Sequence, residues 1–231
     1  MNIDRILKWD QDYILKINGI NNKIISAFMK IVSFFGRETF WFILIAYYIF
    51  IFYWRTAFIG FGLCLIYGLV ICYTLKVIIK RRRPYLEKNL ESKLKVRELI
   101  SSSSSFPSWH TYNIISQVLI ASYIFQNNII LIIGIPFALV LAFSRVYLGV
   151  HYPTDVIFGF IIGIFGFLLT LISFQWWYSF VLWLEFLAGF GSQPDQVFNC
   201  FLVYPWYWAL VVLVYVGIAI SAVFKYIIKL H

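Results

Sequence analysis

Three short polar clusters interrupt an otherwise apolar chain of 231 residues. The first runs from Lys76 to Pro84, the second from Pro107 to His110 and the third from Ser144 to Asp155. Together they contain cations that can hold phosphate oxygens, histidines that can transfer protons or act as nucleophiles, and a carboxylate that can orient a histidine. They predict a phosphate-handling site if the fold brings them together.

The third cluster is the most specific. Arg145 lies near the end of an apolar stretch, His151 lies in the turn that follows, and Asp155 lies in the first turn of the next stretch. Asp155 can accept the Nδ1–H hydrogen bond of His151 and leave Nε2 as a nucleophile, while Arg145 offers a planar pair of donors to phosphate. The alternative is that Asp155 only complements a helix dipole and His151 only caps a helix.

The first cluster contains two cations, Lys76 and Arg83, seven residues apart. A continuous helix would place them on nearly the same face, but Pro84 predicts that Arg83 is extended and ends the helix. The basic run 80–83 is also typical of an anchor at the membrane surface.

The second cluster precedes an apolar stretch. Ser108 is placed to cap a helix whose free N–H groups would face an anion, and His110 could donate a proton to a leaving oxygen. Ordinary helix capping within an interfacial aromatic belt is the alternative.

Membrane helices are expected to position these clusters. Hydrophobic residues make up 62% of the chain and charged residues only 13%, well outside the balance of soluble proteins. A span needs ~20 apolar residues. The sequence predicts an all-α, polytopic membrane helical bundle of about six transmembrane helices, at 38–54, 57–79, 110–126, 128–147, 154–178 and 201–224.

The remaining apolar segments are expected to lie at the membrane surface. Residues 24–36 and 179–190 are short and carry charges, which indicates interfacial or re-entrant segments. Residues 3–17 mix charged and apolar side chains at helical spacing, which predicts an N-terminal interfacial helix with a solvated charged face. No cleavable signal peptide is recognised, so the first span is expected to act as the targeting signal.

The whole chain, 1–231, is expected to form a single membrane domain because no linker divides it. Its parts would be the interfacial N-terminal segment 1–37, the motifs within 76–155 and a last transmembrane helix at 201–224. The three cysteines are expected to pack without forming disulfides.

The order of the spans predicts that the clusters meet. Only a short turn separates 110–126 from 128–147, so the chain crosses the membrane and returns between the loops 80–109 and 147–153. Both loops, and both termini, are then on one face. Within the 80–109 loop, the serine run 101–105 is expected to be a flexible hinge near the site. The alternative is that these serines provide extra donors to phosphate.

A formal net charge of +9 indicates attraction to anionic lipid headgroups or phosphates. Nucleic acid is not expected as a partner, since the cations flank spans rather than forming a soluble basic face. A channel or transporter finds little support, because charged residues near the centre of a span are confined to the proposed site.

The three clusters together resemble the signature of the type 2 phosphatidic acid phosphatase family, whose site is shared by vanadium haloperoxidases and bacterial class A acid phosphatases. The resemblance rests on Lys76-x6-Arg83-Pro84, Pro107-Ser108-x-His110 and Ser144-Arg145-x5-His151-x3-Asp155. It implies that the catalytic residues are His151, His110 and Asp155, and that the phosphate-binding residues are Lys76, Arg83, Ser108, Trp109 and Arg145.

The resemblance also implies the roles of these residues. His151 would attack phosphorus and form a phosphohistidine, with Asp155 orienting it. His110 would protonate the leaving oxygen and then deprotonate the attacking water. No metal or other cofactor is expected, because the cations supply the charge stabilisation.

The chain departs from the family pattern at Trp109, where the family usually has glycine. The backbone N–H survives this change. If the usual glycine has positive φ, Trp109 would be strained or the loop rearranged, and its indole could narrow the pocket or contact the lipid.

The leading hypothesis is an integral-membrane lipid phosphate phosphatase that uses water and removes a terminal phosphate from a phospholipid, a polyprenyl diphosphate or lipid A. One alternative is a lipid phosphotransferase that uses the same phosphohistidine, and another is a non-catalytic protein that binds phosphate lipids. The resemblance implies a bacterial inner membrane location with the site facing the periplasm, whereas the positive-inside rule favours the opposite face.

Overall fold

The computed structural model describes residues 3–189 and 194–228. Over these residues the chain forms eight α-helices and one pair of short strands. The helices are α1 (Ile3–Asn18), α2 (Lys23–Phe34), α3 (Glu38–Phe50), α4 (Arg55–Ile79), α5 (Trp109–Phe125), α6 (Ile129–Tyr147), α7 (Pro153–Leu187) and α8 (Pro205–Ile228). Strands β1 (Phe52–Tyr53) and β2 (Val197–Phe198) pair antiparallel, and 3-10 turns occupy Pro84–Leu86 and Cys200–Val203.

The membrane character of the fold is confirmed. In the part of the chain that the structure describes, four segments are long and apolar enough to cross a membrane: Arg55–Leu86, Ile129–Tyr147, Pro153–Leu187 and Pro205–Phe224. Helices α3 and α5 lie where two further spans were predicted, but they have 13 and 17 residues and fall short of the ~20 that a span needs. The count of six spans is therefore not confirmed.

Helix α7 corrects one predicted boundary. The span expected at 154–178 and the separate short segment expected at 179–190 are a single helix of 35 residues over most of that range. At 1.5 Å per residue it is about 52 Å long. Glu185 does not end the helix, because its carboxylate pairs with Arg55 at a distance of 2.7 Å.

Helix α5 lies at the centre of the bundle, where it packs against α4, α6 and α7. Its Tyr112 ring fits between Gly68 of α4 and Gly166 of α7. A Cβ at Gly68 would lie 2.0 Å from the ring, and one at Gly166 would lie 2.1 Å from the hydroxyl. The hydroxyl donates to the Cys64 carbonyl oxygen at 2.8 Å. These close contacts fix the depth of α5 and so the position of its first turn.

The predicted meeting of the polar clusters on one face is confirmed. The backbone N–H of Ser108, just before α5, donates to the carbonyl oxygen of Asp155 in α7 at 2.9 Å. The N–H of Lys80, just after α4, closes that helix on the same face, and α1 reaches this face through Asp10, which accepts from Thr154 at 2.9 Å. The opposite end of the bundle holds Arg55 and Glu185.

Two of the three cysteines pack as expected. Cys64 and Cys72 on α4 are buried, whereas Cys200 is exposed in the 3-10 turn before α8, so the packing prediction is wrong for Cys200. All three are free thiols.

Candidate active site

His151 lies in the turn between α6 and α7, and its side chain is only 3% exposed. Its Nδ1 is 3.6 Å from Asp155 Oδ2 and 3.5 Å from Ser105 Oγ. The first of these distances is too long for the expected direct hydrogen bond. Ser105 instead donates to Asp155 Oδ2 at 2.5 Å and lies beside the imidazole. His151 and Asp155, predicted as a pair, therefore form a group of three with Ser105. The Ser105 hydroxyl lies close to both the imidazole and the carboxylate.

Asp155 lies in the first turn of α7, as the sequence predicts. Its side chain is fully buried. Its Oδ2 accepts the backbone N–H of Tyr152 at 2.9 Å, which caps the helix. Its Oδ1 accepts from Arg81 at 2.7 Å. Both carboxylate oxygens are held, so the orientation of Asp155 is defined by several groups at once.

The charges around His151 favour its neutral form. Burial lowers the pKa of His151 well below its ordinary value of 6.5, and the positive charges of Arg83, Arg145 and Lys76 lower the pKa further. A neutral imidazole at pH 7 keeps a lone pair on one ring nitrogen, which is the state that a nucleophile requires.

A cavity of about 670 Å³ brings most of the predicted residues together. Its polar wall includes six of the predicted residues: Lys76, Arg83, Trp109, His110, Arg145 and His151. Ser108 and Asp155 are fully buried and support the wall without lining it. The apolar part of the cavity includes Leu69 and Tyr73 of α4 and Ala222 of α8. Leu69 and Tyr73 are among the exposed apolar side chains, so the cavity reaches the membrane-facing surface of the bundle.

The serine run 101–105 accepts hydrogen bonds from two of the cations through its backbone carbonyl oxygens. Lys76 Nζ donates to the Ser104 carbonyl oxygen at 2.6 Å, and Arg83 Nε donates to the Ser103 carbonyl oxygen at 2.8 Å. Helix α4 ends at Ile79, and Arg83 is extended with φ −75° and ψ 151°, as Pro84 predicts. Hydrogen bonds thus connect residues 101–105 to the site, and the flexible hinge stays a prediction.

Arg145 is paired with a carboxylate that the sequence analysis did not identify. Its Nη1 donates to Glu98 and to Ser33, and Glu98 also accepts from Arg37 at 2.9 Å. Burial alone would raise the pKa of Glu98, but Arg145 and then His110 and Arg37 outweigh it and lower the pKa to about 2. The Nε of Arg145 is buried without a hydrogen-bond partner in the described structure. One donor of the guanidinium is thus left for an anion.

His110 lies in the first turn of α5, after Ser108 at the predicted N-cap position. The Ser108 hydroxyl does not cap the helix as expected, because it accepts from the Thr111 hydroxyl at 3.0 Å. The Nε2 of His110 is buried and has no hydrogen-bond partner among the described residues. Gly36 packs directly on this histidine, since a Cβ there would lie 2.8 Å from the His110 Cβ.

Trp109 is accommodated without backbone strain. It is the first residue of α5, and it is not among the described residues with positive φ. Its Nε1 donates to Glu38 at 3.1 Å, and its ring stacks on Tyr112 with centroids 5.7 Å apart. The indole therefore forms part of the cavity wall, and the conditional expectation of a strained residue does not apply.

Sequence reasoning missed three residues of the site. Arg81 lies in the basic run that was interpreted as a possible anchor, and Ser105 lies in the run interpreted as a hinge. Their only signal was their closeness to the motif residues. Glu98 carries no spacing signal, because it reaches Arg145 through a connection without regular periodicity.

The chain is similar to several known phosphatases in sequence. It is 28% identical to the lipid A 4'-phosphatase of Porphyromonas gingivalis over 171 residues, which cover 70% of this chain and 71% of the relative. It is 29% identical to the undecaprenyl-diphosphatase of Sulfolobus acidocaldarius, over 60% of this chain and 66% of the relative.

Two solved structures share the fold. One is the phosphatidylglycerolphosphate phosphatase of Bacillus subtilis, with a TM-score of 0.61, 24% identity and coverage of 75% of this chain and 88% of that chain. The other is LpxE of Aquifex aeolicus, with a TM-score of 0.61, 22% identity and coverage of 69% and 93%.

The family model described as the PAP2 superfamily matches residues 57–179. This range is more than half of the chain and contains all three polar clusters, from Lys76 to Asp155. The expected enzyme class, a phosphoric monoester or diphosphate hydrolase, is confirmed by the phosphatases that the chain resembles. Five residues that carry the family resemblance line the cavity, and the chain belongs to the PAP2 superfamily.

Proposed function

We propose that the protein is a membrane lipid phosphate phosphatase that works through a phosphohistidine on His151. One observation carries the proposal: a single cavity joins Lys76, Arg83 and Arg145 and two histidines to an apolar opening between α4 and α8. A phosphate bound at the polar wall would leave its lipid part against Leu69 and Tyr73, on the membrane-facing side. This arrangement suits a phosphorylated lipid better than a soluble phosphate ester.

In the first step, Nε2 of His151 attacks phosphorus while the bond from phosphorus to the leaving oxygen breaks. Its Nδ1–H faces Ser105 and Asp155, which holds the tautomer with the lone pair on Nε2. The leaving oxygen takes a proton from the imidazolium form of His110, whose Nε2 has no hydrogen-bond partner among the described residues. The products of this step are the dephosphorylated lipid and phosphohistidine.

In the second step, neutral His110 removes a proton from water, and the hydroxide attacks the phosphohistidine. The nitrogen–phosphorus bond breaks, inorganic phosphate leaves, and His151 returns to its neutral form. Lys76, Arg83 and Arg145 stabilise the negative charge on the non-bridging oxygens in both steps. The three cations do this without a metal ion, so the proposed reaction is metal-independent.

We assign the terminal phosphate of a lipid monophosphate or diphosphate as the reacting group. The relatives named as acting on lipid A and on undecaprenyl diphosphate support this assignment. The single membrane domain over 1–231 is part of the proposal. Support for it comes from residues far outside the family match, since Asp10 and Ala222 both lie at the site.

The test is phosphate release from purified protein in detergent with excess EDTA. The substrates are phosphatidic acid, phosphatidylglycerol phosphate, undecaprenyl diphosphate and lipid A, and the variant is His151→Ala. We expect EDTA-resistant release from at least one lipid and a loss of about 10⁴-fold or more in the variant. Equal activity in both proteins would overturn the nucleophile assignment.

The same assay separates the alternatives. A phosphotransferase would transfer phosphate to an added acceptor instead of releasing it, and a binding protein would do neither. A substrate labelled with ³²P, quenched in alkali, should leave the label on the wild-type protein as acid-labile, alkali-stable phosphohistidine. His151→Ala should carry no label.

We place the protein in a bacterial inner membrane with the site facing the periplasm. The position of Ser102 allows a test, because Ser102 is exposed on the site face and Cys200 is exposed at the opposite end of the bundle. In intact cells, a membrane-impermeant maleimide should label Ser102→Cys and leave Cys200 unlabelled in the wild type. Labelling of Cys200 alone would reverse the orientation.

A further inference from the structure

A second group of charged side chains lies next to the cavity wall, between α1, the residues after α4 and the start of α7. Arg81 Nη1 donates to Asp155 Oδ1 at 2.7 Å, and Arg81 Nη2 donates to Asp10 Oδ2 at 2.6 Å. Both carboxylates are fully buried, and the Arg81 side chain is 17% exposed. One guanidinium therefore joins the N-terminal helix to the carboxylate beside His151.

Asp10 also caps α7 from outside that helix. Its Oδ1 accepts the backbone N–H of Thr154 at 2.9 Å, and its Oδ2 accepts the Thr154 hydroxyl at 2.5 Å. Thr154 is in the first turn of α7, where N–H groups lack partners within the helix and where the helix dipole stabilises negative charge. The expected solvated charged face of α1 is therefore wrong at Asp10, which fixes the start of the helix that carries Asp155.

The backbone of Arg81 holds the other oxygen of Asp155. Its carbonyl oxygen accepts the N–H of Ser105 at 2.9 Å, and Ser105 Oγ in turn donates to Asp155 Oδ2 at 2.5 Å. The guanidinium also lies 4.1 Å from the centre of the Tyr152 ring, which restricts it to one orientation. Arg81 thus determines both oxygens of Asp155, one through its side chain and one through Ser105.

We propose that Arg81 and Asp10 are positioning residues for the phosphoryl transfer, which hold Asp155 in the orientation that aligns His151. The inference rests on the proposed function. It gives α1, which precedes the family match at 57–179, a part in the reaction in addition to its predicted location at the membrane surface.

Their position predicts which kinetic constant depends on them. Neither Arg81 nor Asp10 lines the cavity, whereas Lys76, Arg83 and Arg145 do. A residue that only aligns the nucleophile affects the chemical step, while a residue that holds phosphate also affects binding. Loss of Arg81 or Asp10 should therefore lower kcat and leave KM and the inhibition constant of inorganic phosphate nearly unchanged.

The experiment compares Arg81→Gln and Asp10→Asn with two matched controls, Arg82→Gln and Asp12→Asn, whose side chains are exposed neighbours. Release of ³²P-labelled phosphate is measured from the lipid that the wild type hydrolyses fastest, with inhibition by unlabelled inorganic phosphate and thermal unfolding in parallel. We expect each test variant to lose about tenfold or more in kcat with KM within about twofold, and each control to match the wild type. Arg81→Gln combined with Asp10→Asn should be no worse than the worse single variant, because both act through Asp155.

Test variants with kcat within about twofold of wild type, or with a raised KM at unchanged kcat, would overturn the inference. Additive losses in the double variant would also overturn it. If Arg81→Gln does not fold, Arg81→Lys, which keeps the charge but lacks the two-nitrogen fork, is judged by the same criteria. An inactive wild type overturns the proposed function and this inference together, whereas an active wild type with an equally active Arg81→Gln overturns this inference alone.

Discussion

Two buried arginines at opposite ends of the bundle differ in how completely they are bound. Arg55 and Arg145 have side chains that are 3% and 4% exposed, and each pairs with one glutamate. The guanidinium of Arg55 donates from Nε and Nη2 to Glu185 and from Nη1 to the Tyr178 hydroxyl. Arg145 lines the cavity, and its Nε has no hydrogen-bond partner in the part of the chain that the structure describes.

The difference separates a structural ion pair from a binding site. Burying an arginine is costly unless its donors find acceptors, and at Arg55 the protein itself supplies acceptors to all three nitrogens. At Arg145 a buried donor remains open, and the open Nε2 of His110 lines the same cavity. An anion that enters the cavity would provide an acceptor for Arg145. At Arg55 the same anion would find every guanidinium nitrogen already bound to a protein acceptor.

The largest expected effect comes from replacing each arginine with lysine. Arg145→Lys should lower kcat/KM by about 10²–10³-fold, because a lysine cannot give phosphate the same fork of donors. Arg55→Lys should keep its activity within about threefold and should unfold at a lower temperature. Phosphate release and thermal unfolding in detergent measure the two effects. Similar activity losses in both variants would remove the distinction between the two sites.

Glu185 and Glu98, which pair with Arg55 and Arg145, should also differ in how much they contribute to stability. Glu185→Gln leaves a buried arginine without its counter-charge and should reduce the free energy of unfolding by about 3–5 kcal/mol. Glu98→Gln should be better tolerated, because Arg145 keeps Ser33 and faces the cavity. Its expected effect is tighter inhibition by inorganic phosphate, by about threefold to tenfold, since Glu98 no longer competes for Arg145. Thermal unfolding and phosphate inhibition constants check both expectations, and unchanged inhibition in Glu98→Gln would contradict the competition.

A smaller effect is expected in the pH dependence of stability. The pKa of Glu98 is lowered from 4.5 to about 2 in the folded protein, so the unfolded chain binds more protons between these values. The stabilisation from Glu98 is present above pH 4.5 and is lost as the pH falls toward 2. His151 affects stability in a higher pH range than Glu98. Because its pKa is lowered in the folded protein, stability falls as the pH drops through 6.5. Thermal unfolding against pH should show a shallower slope below 4.5 in Glu98→Gln, and an unchanged slope would contradict this origin.

The smallest effect is expected at Trp109. Trp109→Phe removes the hydrogen bond to Glu38 and keeps an aromatic ring on Tyr112, so kcat should change by less than about fivefold. Trp109→Gly restores the usual family residue and should lower the stability of α5 more than the reaction rate, because glycine is a poor helix former. Lipid phosphate assays and unfolding temperatures separate these results. A large loss of kcat in Trp109→Phe would assign the indole a direct role.

Much of the site could be predicted because its elements are local. The spacing of His151 and Asp155 places both around one helix start, and Pro84 ends the helical path before Arg83. Apolar length predicts the long helices, since a bilayer sets a minimum span. Counting those spans was enough to place the polar clusters on one face, and the contact of Ser108 with Asp155 confirms it.

The amino-acid sequence alone thus determined the membrane fold class, the family and the motif residues that meet at the cavity. Only the tertiary structure decided which charges neutralise one another: Glu98 with Arg145, Asp10 with Arg81, and Glu185 with Arg55. These partners are 47, 71 and 130 residues apart, so no helical periodicity relates them. A buried charge must find its counter-charge in space, and helix packing, rather than local spacing, determines which one lies within reach.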